Sequence, residues 1–590
     1  MGALTSAPPV PLARQELIGA MPAVNVVLAR LGFDAIVRAY LPRPDPRCTL
    51  DAAAVTGVLV RNLACGRTPL YGLADWASGY QPAQLGLQPG QAALLNDDRA
   101  GRVLDALFEA DRASMMTALT VAAVGGFGIS AAELHNDSTS IALYGACRPR
   151  GGAGRDDGGT AGRPRPPRPA RGHSKDRRPD LKQLVAILTV TGGEAVPFTF
   201  RMADGNTDDA TTHIATWQAC RQAAGHPGFL YVSDSKLAAA GTMTWIDSQG
   251  GRFVTVLPRS RAEDKAGRAA IAAGQLAFTP AAARPGARRG DPPDTWQTAP
   301  APAPSAEGFP VTWVRSSGKR DHDARARGKR ITRAITALQQ LAARLENPRC
   351  RLKTERAITR AADDAISGAY AGRWVSYTLT RHDTVTRRQI GRGRPSPFTR
   401  YRDVTRTSWT LTPLTDHARI TRDAASDGCY PLITNDPALT PAQILTAHKN
   451  QPRIERRHST FKTVLRAAPV LLKTPERIDA LAFCLYTALL IHALLERELR
   501  TALATAGLPA LPLYHEHRPA PAPSGAAIIA ALTPITTTIL TGSGADTLIP
   551  PQLTPSSSSS PLSSTSRPAA TTSKNKPQQI HVKPPPTCGT

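Results

Sequence analysis

The sequence predicts a mixed α/β core that is interrupted by an inserted domain and preceded by a helical one. Three observations carry this. Strand-like and helical runs alternate from residue 131 to 258, a Pro-, Ala- and Arg-rich stretch breaks the alternation from 259 to 430, and helical periodicity returns at Thr440. At 590 residues the chain exceeds what one hydrophobic core serves, so several domains are expected.

Residues 1–14 read as disordered. From 15 to 130, VNVVLARLGFDAIVRAYL and LDAAAVTGVLVRNLACG place apolar residues at three- and four-residue spacing between Pro and Gly punctuation, which predicts a helical N-terminal domain. That domain is either a packing module or a reader of DNA ends. The core's first part, 131–258, runs from ELHNDSTSIALYG through LVAILTVTGG and AVPFTFRMADGN, a helix over 209–224, FLYVSDSK, a helix over 237–248 and RFVTVLP. Inside it, 148–178 is so rich in Arg, Gly and Pro that it reads as a flexible basic loop. The inserted domain, 259–430, contains a Pro/Ala linker (TAPAPAPSAEG). A helix with Ile331, Ile335, Leu338, Leu341 and Leu345 on one face follows, then the strand-like runs WVSYTLT and SWTLTPL. The last part, 431–545, begins helically at Thr440, where Thr-Pro-Ala-Gln supplies an N-cap, a proline at the first helical position and a capping-box Gln443. The Ser/Pro-rich tail 546–590 reads as disordered.

The 72 Lys and Arg outnumber 46 Asp and Glu, and the formal charge of +26 points to a polyanion such as nucleic acid. The most apolar stretch, 480–495, is shorter than the roughly 20 residues a bilayer requires and contains His492, so a buried core helix is expected and no membrane partner. Gly2 and Ser6 match a myristoylation pattern too short to outweigh chance, and no signal-peptide core follows them; a cytoplasmic, nucleoid-associated location is the expectation. The eight cysteines are too scattered for a zinc or disulfide framework.

Phosphodiester chemistry by two metal ions about 3.5–4 Å apart needs carboxylates that converge from distant segments. Asp137 places a charge within an apolar strand run, and Asp234 ends FLYVSD, the position where open α/β sheets carry ligand-binding residues. Strand-end aspartates also form turns and N-caps, and Asp234 precedes a helix. In an RNase H-like strand order the first and fourth strands are neighbours, which would set the two carboxylates side by side. The third acid is Glu455 in AHKNQPRIERRHSTFKTVL; seven residues on, Lys462 falls on the same helix face, though such a segment also fits a solvated charged face. Lys236, just after Asp234, is either a phosphate ligand or an ordinary surface lysine.

The segments LHNDSTS, GHSKDRRPDLKQL, GNTDD, LYVSDSK and QPRIERRHSTFKTVL resemble DDE transposases of bacterial insertion sequences, in the longer subgroup of the IS-four type. That family carries Tyr, two residues, Arg, three residues, Glu, six residues and Lys; here the positions hold His448, Gln451, Glu455 and Lys462, with the spacing kept and Tyr and Arg replaced. Pro452 lacks an amide hydrogen, so the helix is expected to restart there. The resemblance covers about residues 20 to 540, and it explains the long gap before Glu455 by an inserted β-rich domain.

The resemblance implies that Asp137, Asp234 and Glu455 hold two Mg²⁺ or Mn²⁺ ions, cleave one strand at each transposon end and direct the freed 3′ hydroxyl at target DNA. Lys462, Gln451, His448 and Lys236 would contact phosphate. The implied partners are double-stranded DNA and a second copy of the chain in a synaptic dimer, with no small-molecule substrate. The basic loop and the 319–360 segment would add salt-sensitive phosphate contacts. Two alternatives stay open: a nuclease on the same fold without strand transfer, and a catalytically decayed DNA-binding relic.

Overall fold

Between residues 20 and 130 the helical spacing produces the helices Met21–Arg30, Phe33–Tyr40, Ala52–Arg61, Asp97–Glu109 and Arg112–Phe127. The structure is a computed structural model describing residues 12–43, 48–144, 147, 164–286, 288, 290–466, 472–514, 518–541 and 547–551. Most of the expected basic loop (148–163), most of the N-terminal segment expected to be disordered (1–11) and nearly all of the tail (552–590) lie outside these residues. Asp51, Asn96 and Asp111 cap three of the helices by accepting from amides three residues on.

These helices share their core with the far end of the chain. Leu104, Leu107 and Leu119 belong to the same apolar cluster as Phe483, Leu490 and Leu494 of the helix Pro475–Thr505. That helix is long and apolar enough to cross a membrane, yet its most apolar part is packed inside the protein. β1 (Leu12–Leu17) reinforces the union by pairing antiparallel with a strand formed by Thr536–Thr541.

The strands that follow are β2 (Glu133–Leu143), β3 (Lys182–Thr191), β4 (Pro197–Ala203), β5 (Leu230–Val232), β6 (Arg252–Val256), β7 (Thr279–Arg284), β8 (Asp294–Pro300), β9 (Val311–Ser316), β10 (Val375–Gln389), β11 (Tyr401–Thr415) and β12 (Cys429–Thr434). Nine of them form one mixed sheet in the order β4-β3-β2-β5-β6-β12-β9-β8-β7. β2, β3 and β4 make an antiparallel meander, while β2 runs parallel to β5 and β5 to β6. Helices cover both faces. Trp217, Cys220, Met243 and Ile246, from His213–Ala224 and Ala240–Ser248, pack on one side with Leu134, Tyr231 and Phe253. On the other, Ile141, Leu188 and Phe200 meet Ile454, Phe461 and Tyr486. A large mixed sheet flanked in this way is consistent with an RNase H-like fold.

The 259–430 stretch divides in two. β7, β8 and β9 extend the main sheet, so the start of the expected Pro/Ala linker is strand: Trp296, Thr298 and Ala299 in β8 are buried, and this burial overrides the local composition. The helices Ser317–Glu346 and Glu355–Gly368 and the β10–β11 hairpin instead gather around a core of their own, built on Leu338, Leu341, Ile358, Ile366 and Leu411.

Candidate functional site

The last pairs of the β2–β5 ladder are Leu134 with Tyr231 and His135 with Val232. Two residues further along each parallel strand stand Asp137 and Asp234, which by the two-residue side-chain period belong to the same face and adjacent rows. Val232 packs with Ile444 and Leu445, and Ile141 packs with Ile454. The shared face is therefore the one covered by the helices Pro441–Lys449 and Pro452–Ser459.

Two loops close on this pair. Gly172 and Gly205 pack backbone to backbone, so a Cβ on Gly172 would collide with the Gly205 carbonyl, and one on Gly205 with the Gln183 carbonyl and Ala170. This close approach delivers Lys175 and Asp209. The Lys175 ammonium lies 3.3 Å from Asp137 Oδ1 and 3.4 Å from Asp209 Oδ2, and donates to the Ser138 carbonyl at 2.5 Å and the Ser138 hydroxyl at 2.8 Å. Ser138 Oγ donates to Asp209 Oδ1 at 2.5 Å. The charge of Asp137 thus has a partner that no reading of its own strand supplies. Neither Lys175 nor Asp209 was singled out from the sequence as a site residue, although both lie in the quoted segments GHSKDRRPDLKQL and GNTDD.

Burial pushes the Asp137 carboxyl above its ordinary range even against the pull of Lys175, and the neighbouring Asp209 adds to the rise. Asp234 reaches the surface, but the atoms packed around it desolvate its carboxyl and Asp137 repels its charge, so it too is raised. Lys175 is held above its ordinary value by Asp137 and Asp209 despite its own burial. His458, absent from the sequence reading, places Nε2 3.6 Å from Asp137 Oδ2. Burial first, then Lys175 and Lys462, pushes it down to about 3, so it is neutral at pH 7.

The remaining sequence candidates take varied places. The helix does restart at Pro452, and Thr440 and Gln443 form the expected capping box. Glu455 lies on the exposed side of the restarted helix and forms no ion pair among the described residues. Lys462, in the π-helical turn Thr460–Val464, pairs with Asp176 at 2.7 Å. Lys236 is half-exposed, 3.4 Å from Asp208. Gln451 faces inward, its Oε1 3.1 Å from His135 Nδ1 and its Nε2 donating to the Asn136 carbonyl at 3.3 Å. His448 packs against Tyr430, and burial pushes it down to about 4.

Two of the three arginines of QPRIERRH are clamps, while Arg456 is exposed. Arg453 donates to the carbonyls of Gly192 and Gly193. Arg457 donates to the Ala195 carbonyl at 2.7 Å and pairs with Glu496 at 2.8 Å, with both side chains under 10% exposed. They dock the helix onto the β3–β4 turn and so fix His458 against Asp137.

Among the described residues, no three His, Cys, Asp or Glu side chains converge closely enough to hold a metal ion. The chemistry of the Asp137–Asp234 pair nonetheless fits a divalent cation: two neighbouring carboxylates, each raised chiefly by burial and then by a nearby acid, Asp209 for Asp137 and Asp137 for Asp234, favour a cation placed between them. Lys175 already supplies one positive charge there.

Residues 14–121 match a domain of unknown function, DUF4277. No curated protein matches the chain. Among solved structures, the Mos1 transposase paired-end complex with left transposon end is similar at 10% identity and a TM-score of 0.14, over 36% of this chain and 60% of that one. The likeness therefore spans less than two thirds of the Mos1 chain, and a score of that size fixes neither fold nor chemistry.

Proposed function

We propose that this chain is a transposase-like, metal-dependent enzyme that cleaves phosphodiester bonds at the ends of an insertion sequence and joins them to target DNA. The observation that carries the reading is the parallel β2–β5 register, which sets Asp137 beside Asp234 on the face covered by the Glu455 helix. In this reading Asp137 and Asp234 would hold Mg²⁺ or Mn²⁺, and Glu455 would be the third acid. The bound cations supply activation of the attacking oxygen and stabilisation of the leaving one. The chain's own residues do the rest. Arg453 and Arg457 position the helix, neutral His458 walls Asp137 from solvent, and the Lys175 ammonium offsets the charge of Asp137 and Asp209.

The inserted-domain boundary, the synaptic homodimer and a cytoplasmic, nucleoid-associated setting belong to the same proposal. A second reading, a DNA-binding relic without catalysis, is favoured by the outward position of Glu455 and by the Lys175 ammonium, which already pairs with Asp137 and Asp209. A plasmid carrying the ends that flank the gene, incubated with the full chain and Mg²⁺, separates the two. The enzyme reading expects cleavage that disappears in Asp137→Asn, Asp234→Asn and Glu455→Gln while DNA binding persists. Binding without cleavage by the unaltered chain supports the relic. A pre-cut end that is never joined to target DNA leaves a nuclease.

A further inference from the structure

The β10–β11 hairpin is a two-stranded arm of 15-residue strands paired in unbroken register from Val375 with Thr415 to Gln389 with Tyr401. Its root is anchored: Val375, Tyr377, Leu379, Trp409 and Leu411 all lie on one face and join the core of the two helices beneath. Past Arg381 both strands are largely exposed, and at about 3.4 Å per residue the free part projects roughly 25–30 Å.

Residues 375–415 contain eight Arg and no Lys against two Asp. The pleat sorts them. Both aspartates, Asp383 and Asp403, fall on the face that continues the anchored row, where Asp383 pairs with Arg381. The opposite face has no acidic residue at any position from 376 to 388 or from 402 to 414 and consists mainly of Thr, Ser and Arg, all exposed except the intermediate Val404. On it Arg388 and Arg402 are direct cross-strand partners, and Arg406 lies opposite Thr384. None of these three arginines has an ion pair among the described residues.

Like charges directly opposite on a sheet destabilise it, because their Cβ atoms are only about 4.5–5.5 Å apart. An anion between the two guanidinium forks reverses the sign of that contribution. A narrow row of Arg and hydroxyl donors, free of carboxylates and borne on a ribbon that fits the roughly 12 Å major groove, matches duplex DNA followed along its phosphates.

We propose that the acid-free face of this arm, through Arg388, Arg402 and Arg406, binds the phosphate backbone of double-stranded DNA. The assignment rests on the DNA-acting reading above and adds a contact surface remote in sequence from the acidic cluster. The test is fluorescence anisotropy of the full chain with a labelled 30-bp duplex across a salt series. The triple variant Arg388→Gln, Arg402→Gln, Arg406→Gln is expected to bind at least about tenfold more weakly, and its log-affinity against log-salt slope to fall by about 2 to 3, near 0.9 per phosphate lost. The corresponding triple Lys variant should keep the slope, and the thermal melting of both should match the unaltered chain. A Gln variant with unchanged affinity and slope overturns the arm proposal while leaving the DNA reading intact. Tighter binding of single-stranded RNA than of the duplex, lost in the Gln variant, overturns the choice of partner. An unaltered chain that binds no duplex even at low salt overturns the DNA reading itself.

Discussion

Two segments of this chain are rich in arginine and use it in opposite ways. In the Pro452–Ser459 helix Arg453 and Arg457 turn inward and are spent on carbonyls and on Glu496, whereas on the β10–β11 arm Arg388, Arg402 and Arg406 stand in solvent without an anionic partner. Composition treats the two alike. What separates them is the surroundings: a helix pressed against a sheet turn offers buried acceptors, and an isolated ribbon offers none. A basic run therefore signals a polyanion only where the fold leaves its charges unsatisfied.

Four measurements probe that contrast. The largest effect is expected from pH. Burial holds His213, His448 and His492 down to about 4, so the unfolded chain binds their protons first as pH falls below about 6.5. Each then removes up to about 1.4 kcal/mol of stability per pH unit until its folded value is reached. Asp137 and Asp234, raised in the folded state, act in the opposite sense and soften the slope. Thermal melts between pH 7.5 and 5 should show Tm falling with pH, and a flat or rising Tm would contradict the burial of these rings.

Next in size is Arg457→Ala, which leaves Glu496 buried with only Arg500 and the Gly525 amide. A loss of about 3 kcal/mol in urea unfolding is expected, the lower end for breaking a buried pair. An effect below 1 kcal/mol would return this arginine to the class of surface charges. Smaller still is Lys175→Ala, which removes the ammonium beside Asp137 and Asp209. Because that side chain is about one-third exposed, calorimetric Mn²⁺ affinity should rise by no more than about fivefold. Weakened binding would instead make Lys175 a support of the cation site. The smallest effect on stability is that of the Gln triple on the arm, expected within about 0.5 kcal/mol of zero. A large loss would mean those arginines are structural after all.

Much of the framework was legible because it depends on local pattern. The restart at Pro452 follows from a missing amide hydrogen, and the Thr440 cap from one hydroxyl and one amide side chain. That the strand holding Asp137 and the strand leading to Asp234 are neighbours was expected once an RNase H-like strand order was assumed, and β2 does pair with β5. What stayed hidden is tertiary. Lys175 and Asp209 reach the acidic pair only because Gly172 and Gly205 let two backbones touch, and no periodicity encodes that approach. His458 lies in the same segment as Glu455, but which of the two faces Asp137 depends on how Arg453 and Arg457 dock the helix. The Ala-Pro run at 299–300 looked like linker and forms strand, because Trp296 and Thr298 beside it are buried in the sheet.

The central claim is that Asp137 and Asp234 act as one cation-binding pair, and Mn²⁺ binding to the full chain followed by electron paramagnetic resonance tests it most directly. Asp137→Asn and Asp234→Asn should each abolish the bound signal, and the double variant should add nothing further. Mn²⁺ bound equally well by all of these proteins would contradict the account.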